Sequence, residues 1–515
     1  MKSRIKVTLS FLLILMTIAL SGCSGDNESK NDNNISQDNS VVVGIQQDLD
    51  SLDPHKAVAA GTNEVLFNIF EGLVKPDEEG NLVPCVASEY DISEDGLTYT
   101  FTLRDNVKFH NGAVVTVEDI VYSIERSAGL LKGEDTSSIN IESALKNIKS
   151  VEAKDDKTVV VTLEKPNTEL IAYFTLAIIP KDYKDQETAP VGTGPFSFKS
   201  YTPLESFVMD KYSDYWNQDN QAYLDEVTFK IVSSTDDAFV ELLAGSIDIF
   251  PYLTQDQADQ LSEGDTFNVE SGNMNLVQGL FLNNDAAPFN NQQLREVLNY
   301  AIDKQAILDM VAGGKGSVIG SGLFPGMSTY YDDTAKDMYS YDVEKAKALL
   351  TEAGYPDGFA FTITVPSNYS FHVSTAEVIV EQFKAVGITA SIKQVEWNNW
   401  LDDVYKGGNY QATIIGLEGV LAPSDLLTRY SSTAENNFIH YVNKDYDKTL
   451  EKATATTDEK EKENYYKQLQ QLLAKDSASV FIQDPPLLVA VNKQLTGYTF
   501  YPVYVQDMSK VRYVD

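Results

Sequence analysis

Cysteine is almost absent from this chain, with two among 515 residues, Cys23 and Cys85, which excludes a disulfide-rich scaffold. Histidine is nearly as scarce. None of the four sits in a His-Glu-x-x-His zinc pattern. There is no Gly-x-Ser-x-Gly elbow, and the glycine-rich run from Ala312 to Gly322 lacks the Gly-Lys-Ser/Thr ending of a phosphate loop. Carboxylate pairs of the glycosidase kind carry no information here, because 76 acidic residues make chance pairs common. The chain is therefore expected not to be an enzyme and to use no cofactor and no bound metal. Positive charge is also in short supply, with 40 Lys and Arg against 76 Asp and Glu and a net charge of −36. No basic block stands out, so a nucleic-acid partner is excluded, since phosphate binding needs clustered Lys and Arg.

The one long apolar run, Val7 to Leu20, is too short for a comfortable membrane span. Lys2, Arg4 and Lys6 precede it, the layout of a signal peptide over residues 1–22. Leu20-Ser21-Gly22-Cys23 resembles the lipobox of bacterial lipoproteins, which implies cleavage before Cys23 and a lipid on its sulfur. From Ser24 to Ser40 the chain is rich in Asn, Asp and Ser with Ile35 its only apolar residue before the strand region, a composition that cannot bury a core and suits a flexible tether. With Cys23 acylated, Cys85 stands alone and is expected to be a small buried residue.

At roughly 150 residues each, a chain of this length holds two to four domains. Val41 to Ile45 suits a buried opening strand, and Tyr99, Phe101 and Leu103 alternate with threonines as a half-buried strand. Thr116 and Asp119 have the spacing of a helix N-cap, ahead of Ile120, Val121 and Ile124. Leu294, Val297, Leu298 and Ala301 form a helical stripe. A βαβ unit follows: Phe361, Ile363 and Val365 alternate as a strand, Ser374 and Glu377 form a capping box, Gly387 ends the helix, and Ile388, Ala390 and Ile392 return parallel to the first strand. These patterns predict an α/β protein of two lobes.

Pro84, Ala87, Ser93, Asp95-Gly96, Tyr99 to Arg104 and Phe109 to Gly112 occur in an order that resembles the motif of extracellular solute-binding proteins of the peptide/nickel ABC-importer class, family 5. Gly192-Thr193-Gly194-Pro195 and the Arg295 to Lys304 element are similar to further landmarks of that family. The resemblance implies a two-lobe periplasmic-binding-protein fold of the type II class with an additional small inserted domain. It assigns residues 41–80, 191–283 and 485–515 to lobe I, 81–190 to the inserted domain and 284–484 to lobe II. It further implies a monomer, lipid-anchored outside the bacterial cytoplasmic membrane, that captures oligopeptides or dipeptides and hands them to an ABC permease.

Candidate ligand contacts lie between His372 and Tyr441. Glu396 to Leu401 resembles a family segment whose aromatics flank the ligand, which nominates Trp397 and Trp400. Peptide-binding relatives place an aspartate near the proline of a run similar to Gly416 to Asp425, where it neutralises the peptide ammonium. Gly419 to Ala422 offers no acid, so Glu418 is nominated, with Asp425 as its substitute. Arg429 could clamp a carboxylate, with Tyr430 beside it, and His372 is the remaining polar candidate. The missing acid, together with Arg429, supports an alternative nickel or metallophore-chelate ligand, because imidazole suits nickel. A secreted hydrolase and a peptide-sensing receptor that imports nothing are the other readings.

Overall fold

The computed structural model describes residues 39–132, 137–232, 234–367 and 369–514. The segment expected to be a signal peptide, Cys23 and the expected tether as far as residue 38 lie outside the described residues. Residues from Asn39 onward form one compact unit. Among the described residues no helix is long and apolar enough to cross a membrane.

Three sheets carry the architecture. The first has seven strands in the spatial order Phe267–Asn273, Pro486–Asn492, Ile249–Phe250, Ser40–Ile45, Glu226–Ile231, Ser206–Lys211 and Phe196–Thr202. The second has six, in the order Ser317–Val318, Ser479–Asp484, Leu276–Leu282, Ala412–Glu418, Ala360–Pro366 and Thr389–Val395. They form the cores of the two lobes. The chain crosses between them twice, at Asn273 to Leu276 and at Asp484 to Pro486, and the two crossings are hydrogen-bonded to each other: Met274 N donates to Pro485 O at 2.9 Å, and Leu276 N to Asp484 Oδ1 at 2.9 Å. These paired crossovers form the hinge.

The third sheet is a four-stranded module, Ala87–Ile92, Thr98–Leu103, Thr158–Leu163 and Ile148–Ala153. Its logic is local. In Thr98–Leu103 the residues Tyr99, Phe101 and Leu103 are buried, while the intervening threonines stay half-exposed. Thr116 and Asp119 close a reciprocal capping box on the helix Val117–Ser127. Cys85 is fully buried here.

Gly192 and Gly194 fix the module's return to the first lobe by close approach. A Cβ on Gly192 would lie 2.1 Å from Ile69 O, and one on Gly194 would lie 2.4 Å from Asn68 O. Only glycine lets these two backbones touch.

The βαβ unit forms as its pattern demands, with Ala360–Pro366 parallel to Thr389–Val395. Its helix, however, is Ser370–Lys384, so Ser374 lies inside it and caps nothing. The buried stripe His372, Thr375, Ala376, Ile379 and Phe383 shows why: His372 serves as an apolar-face residue and extends the stripe one turn towards the N-terminus.

Candidate functional site

Three strands of the second lobe, ending at Pro366, Val395 and Glu418, run parallel and finish at one sheet edge. In the first lobe Ile45, Ile231 and Phe250 end parallel strands in the same way. Open α/β sheets bind ligands beyond the carboxyl ends of such strands. The residues that follow these ends therefore form the walls of a cleft beside the hinge.

On the first lobe the helix Ala60–Leu66 places Glu64, which is buried and accepts the Tyr252 hydroxyl at 2.5 Å. Burial pushes its carboxyl up to about 7, and the charge on Glu418 across the cleft adds to the rise. Tyr252 holds a left-handed backbone at φ +71°, a strained conformation for a tyrosine. On the second lobe Glu418 is paired in register with Leu276, whose amide is held by Asp484 on the other side. Glu418 keeps solvent access yet lies close enough to protein that desolvation raises its carboxyl, with Arg429 pulling it back. Asp484 is fully buried, its Oδ2 has no partner, and burial pushes it up to about 7. Burial raises the Tyr504 hydroxyl and keeps it protonated, with the charges of Glu418, Asp484 and Glu64 adding to the rise.

Aromatic rings line the second-lobe side. Tyr369 meets Trp397 edge-on at 5.5 Å, Trp397 stacks on Trp400 at 5.2 Å and 6°, and Trp400 stacks on Tyr405 at 5.9 Å. Their spacing comes from a short helical turn, Trp397–Asn399, that runs into a π-helical stretch, Trp400–Lys406, a geometry found often at functional sites. Tyr405 then accepts a hydrogen bond from Arg429 Nη1 at 3.1 Å. Arg429 Nε is buried without a partner.

The six residues nominated from sequence are thus not equivalent. Trp397 and Arg429 are linked through Trp400 and Tyr405, and the charge of Arg429 acts on Glu418. Trp400 is 3% exposed, is covered on both ring faces, and donates Nε1 to Thr413 Oγ1 at 2.9 Å, so it supports Trp397 from behind. Tyr430 is buried against Tyr446 and Phe481. His372 is buried, with Nδ1 held at 2.8 Å by the Gln278 amide and its pKa lowered to about 4 by desolvation, which keeps the imidazole neutral. Asp425, the substitute acid, accepts the Tyr173 hydroxyl from the module.

A cavity of about 1080 Å³ adjoins this face, lined by Phe67, Phe70, Tyr173, Leu421, Asp425 and Tyr504 among others. None of the six nominated residues lines it; their loop neighbours Val420 and Leu421 do. Tyr504 joins the cavity to the acidic face. Glu64, Tyr252, Asp484 and Tyr504 were not singled out from sequence, and no motif marks them, since Glu64 and Tyr252 alone are 188 positions apart. Among the described residues no group of three His, Cys, Asp or Glu side chains is arranged to hold a metal ion. What the face offers is hydrogen bonding and charge of both signs, beside a roomy space whose walls mix apolar residues with charged ones such as Arg104 and Asp425.

Comparison with known proteins identifies relatives that share this fold. The glutathione-binding protein GsiB of Salmonella paratyphi A is 27% identical over 481 residues, covering 90% of this chain and 92% of the relative. The periplasmic binding protein DppA of Helicobacter pylori, solved with the peptide STSA, superposes with a TM-score of 0.78 at 27% identity, over 92% of this chain and 98% of its own. The substrate-binding protein CtaP of Listeria monocytogenes gives 0.82 at 25% identity, over 92% and 99%. Residues 81–438 match the family model of the bacterial extracellular solute-binding proteins, family 5, and this chain belongs to that family.

Proposed function

We propose that this chain captures short peptides or peptide-like solutes outside the cell and delivers them to the permease of an ABC importer, without chemical change to the solute. The observation that carries the reading is a cavity of about 1080 Å³ lined from both lobes, by Phe67, Phe70 and Tyr504 of the first and by Val420, Leu421 and Asp425 of the second. A solute touching both walls stabilises the closed arrangement, which is how ligand binding drives hinge closure. The acids suit an ammonium group, Arg429 suits a carboxylate, and the protonated tyrosines suit peptide amides. The relatives named above bind glutathione and a tetrapeptide, which supports this ligand class. A chelate reading would draw no help from His372 Nδ1, which Gln278 already occupies. Acylation at Cys23 would tether the receptor to the outer face of the membrane, with the Asn- and Ser-rich segment as leash.

The test is native mass spectrometry of the soluble chain from Ser24 onward, followed by calorimetry with glutathione and with Ser-Thr-Ser-Ala. One-to-one adducts of peptide mass, released intact, are expected. A single adduct with a metal isotope pattern, or cleavage of the added peptide, would overturn the reading.

A further inference from the structure

The cleft-wall loop Gly419 to Asp425 is gripped from outside its own lobe. Ser424 N donates to Glu169 Oε2 at 3.2 Å, and Tyr173 donates its hydroxyl to Asp425 Oδ1. One step along, Thr168 N donates to Thr454 O at 3.0 Å, while Thr168 Oγ1 reaches Thr456 O at 3.0 Å and Thr454 O at 3.3 Å. Thr168, Glu169 and Tyr173 follow the last strand of the four-stranded module, which joins the first lobe through Gly192 and Gly194. Ser424, Asp425, Thr454 and Thr456 belong to the second lobe. The covalent route between the lobes runs through the two hinge crossings, so these bonds make a second, non-covalent bridge between them.

We propose that the module is a latch: residues 168–173 hold the wall loop and the 454–456 turn, fixing the loop's position and keeping the lobes closed without contacting the solute through Thr168 or Glu169. The contacts are directional and engage buried groups: Glu169 Oε2 accepts from Ser424, while Glu169 Oε1 is buried without a partner. Thr168 is 4% exposed and Glu169 is 6% exposed, and every bond named runs between the two bodies rather than within one. A buried acid is retained at such a seam only where it has donors to accept from. Opening the cleft must break the set together, because one short segment carries all of it. Desolvation in the shared seam also raises the carboxyls of Asp425 and Glu169, as expected of acids that contact of two bodies removes from water.

The proposal rests on the capture reading only in assuming that the cleft opens, so its test uses no solute. Fluorescent dyes on Val114→Cys in the module and Val442→Cys in the second lobe, both well exposed, would report the distance between the two bodies, while Cys85 is buried and stays unlabelled. The ligand-free chain from Ser24 onward should occupy mainly the short-distance state. Thr168→Val and Tyr173→Phe, each removing hydrogen bonds at a different point of the latch, should raise the open-to-closed ratio about threefold to tenfold. Both should leave the unfolding midpoint near that of the parent. The second variant keeps the test decisive if the first fails to fold. An unchanged distance distribution in a folded variant overturns the latch; a parent chain that closes as described yet binds neither glutathione nor Ser-Thr-Ser-Ala would count against the capture reading alone.

Discussion

The Tyr252 hydroxyl donates to Oε1 of Glu64 at 2.5 Å inside the first lobe, and it cannot fully compensate that carboxyl for the water it has lost. Burial pushes Glu64 up to about 7 from an ordinary value near 4.5, with the charge of Glu418 adding to the rise and bonds from Tyr252 and Gln506 opposing it. A carboxyl raised in the folded state stabilises folding least when it must ionise. The wild type should therefore lose stability as the pH rises from about 4.5 to 7. Glu64→Gln keeps an acceptor for Tyr252 and cannot ionise. Relative to wild type it should gain on the order of 3 kcal/mol between pH 4.5 and 8. Urea unfolding at the two pH values checks this, and a difference that stays flat with pH would remove Glu64 as the source.

Gly194 is expected to be intolerant of any side chain. Its missing Cβ faces Asn68 O at 2.4 Å, and Asn68 is itself pinned, donating Nδ2 to Gln506 O at 2.7 Å and accepting from Met508 N at 2.9 Å. The neighbour that would have to yield is backbone, not a flexible side-chain tip. Gly194→Ala should cost about 1–3 kcal/mol, measured by denaturant midpoint. Gly112 has a φ of +84° with open space around its Cβ position, so Gly112→Ala should act only through backbone strain and serves as the control.

Local periodicity made much of this fold legible. Thr98–Leu103 and the parallel pair around the helix Ser370–Lys384 follow directly from periods of 2 and 3.6. The helix start was not legible. Ser374 and Glu377 have the spacing of a capping box, but a buried histidine extends the apolar stripe past it. The candidate site divides in the same way. Trp397 and Trp400 were nominated by resemblance to a family segment and Arg429 for its guanidinium, and the structure links the three through Tyr405. Glu64 is bonded to Tyr252 and Asp484 to the Leu276 amide only through the tertiary fold, and nothing in their immediate neighbours encodes that. Asp425 could be named as a candidate acid from spacing, whereas its engagement by Tyr173, 252 positions away, is a tertiary fact.

Trp397 and Trp400 should separate cleanly by readout. Trp400 is sandwiched between Trp397 and Tyr405, with its Nε1 on Thr413. Removing it empties a packed site, and Trp400→Ala should cost about 3–5 kcal/mol of stability. Trp397 is only partly buried at the outer end of the stack, against Tyr369. Trp397→Ala should lose much less stability while weakening peptide binding and removing the ligand-induced change in tryptophan fluorescence. Equal loss of stability in both variants would place Trp397 in the core.

Arg429 acts by its charge on Glu418 and has hydrogen-bonding capacity left over. One guanidinium nitrogen holds the Tyr405 hydroxyl at 3.1 Å, and Nε is buried without a partner. A buried donor left unsatisfied costs about 1–3 kcal/mol, so a ligand carboxylate arriving there relieves a cost as well as forming a charge-assisted pair. Arg429→Ala should weaken binding of Ser-Thr-Ser-Ala by about 1.5–3 kcal/mol, roughly tenfold to a hundredfold. The same peptide with an amidated C-terminus should bind wild type and variant almost equally, because it lacks the carboxylate. The substitution also removes the charge that lowers the Glu418 pKa, so that carboxyl rises further. If Glu418 holds the peptide ammonium, it must be ionised to do so. Binding to the variant should then fall off at a higher pH than binding to wild type as the solution is acidified. Calorimetry across pH 5 to 8 with the free and amidated peptides separates the two effects. Equal losses for both peptides, with no displacement of the pH profile, would place Arg429 outside the ligand site.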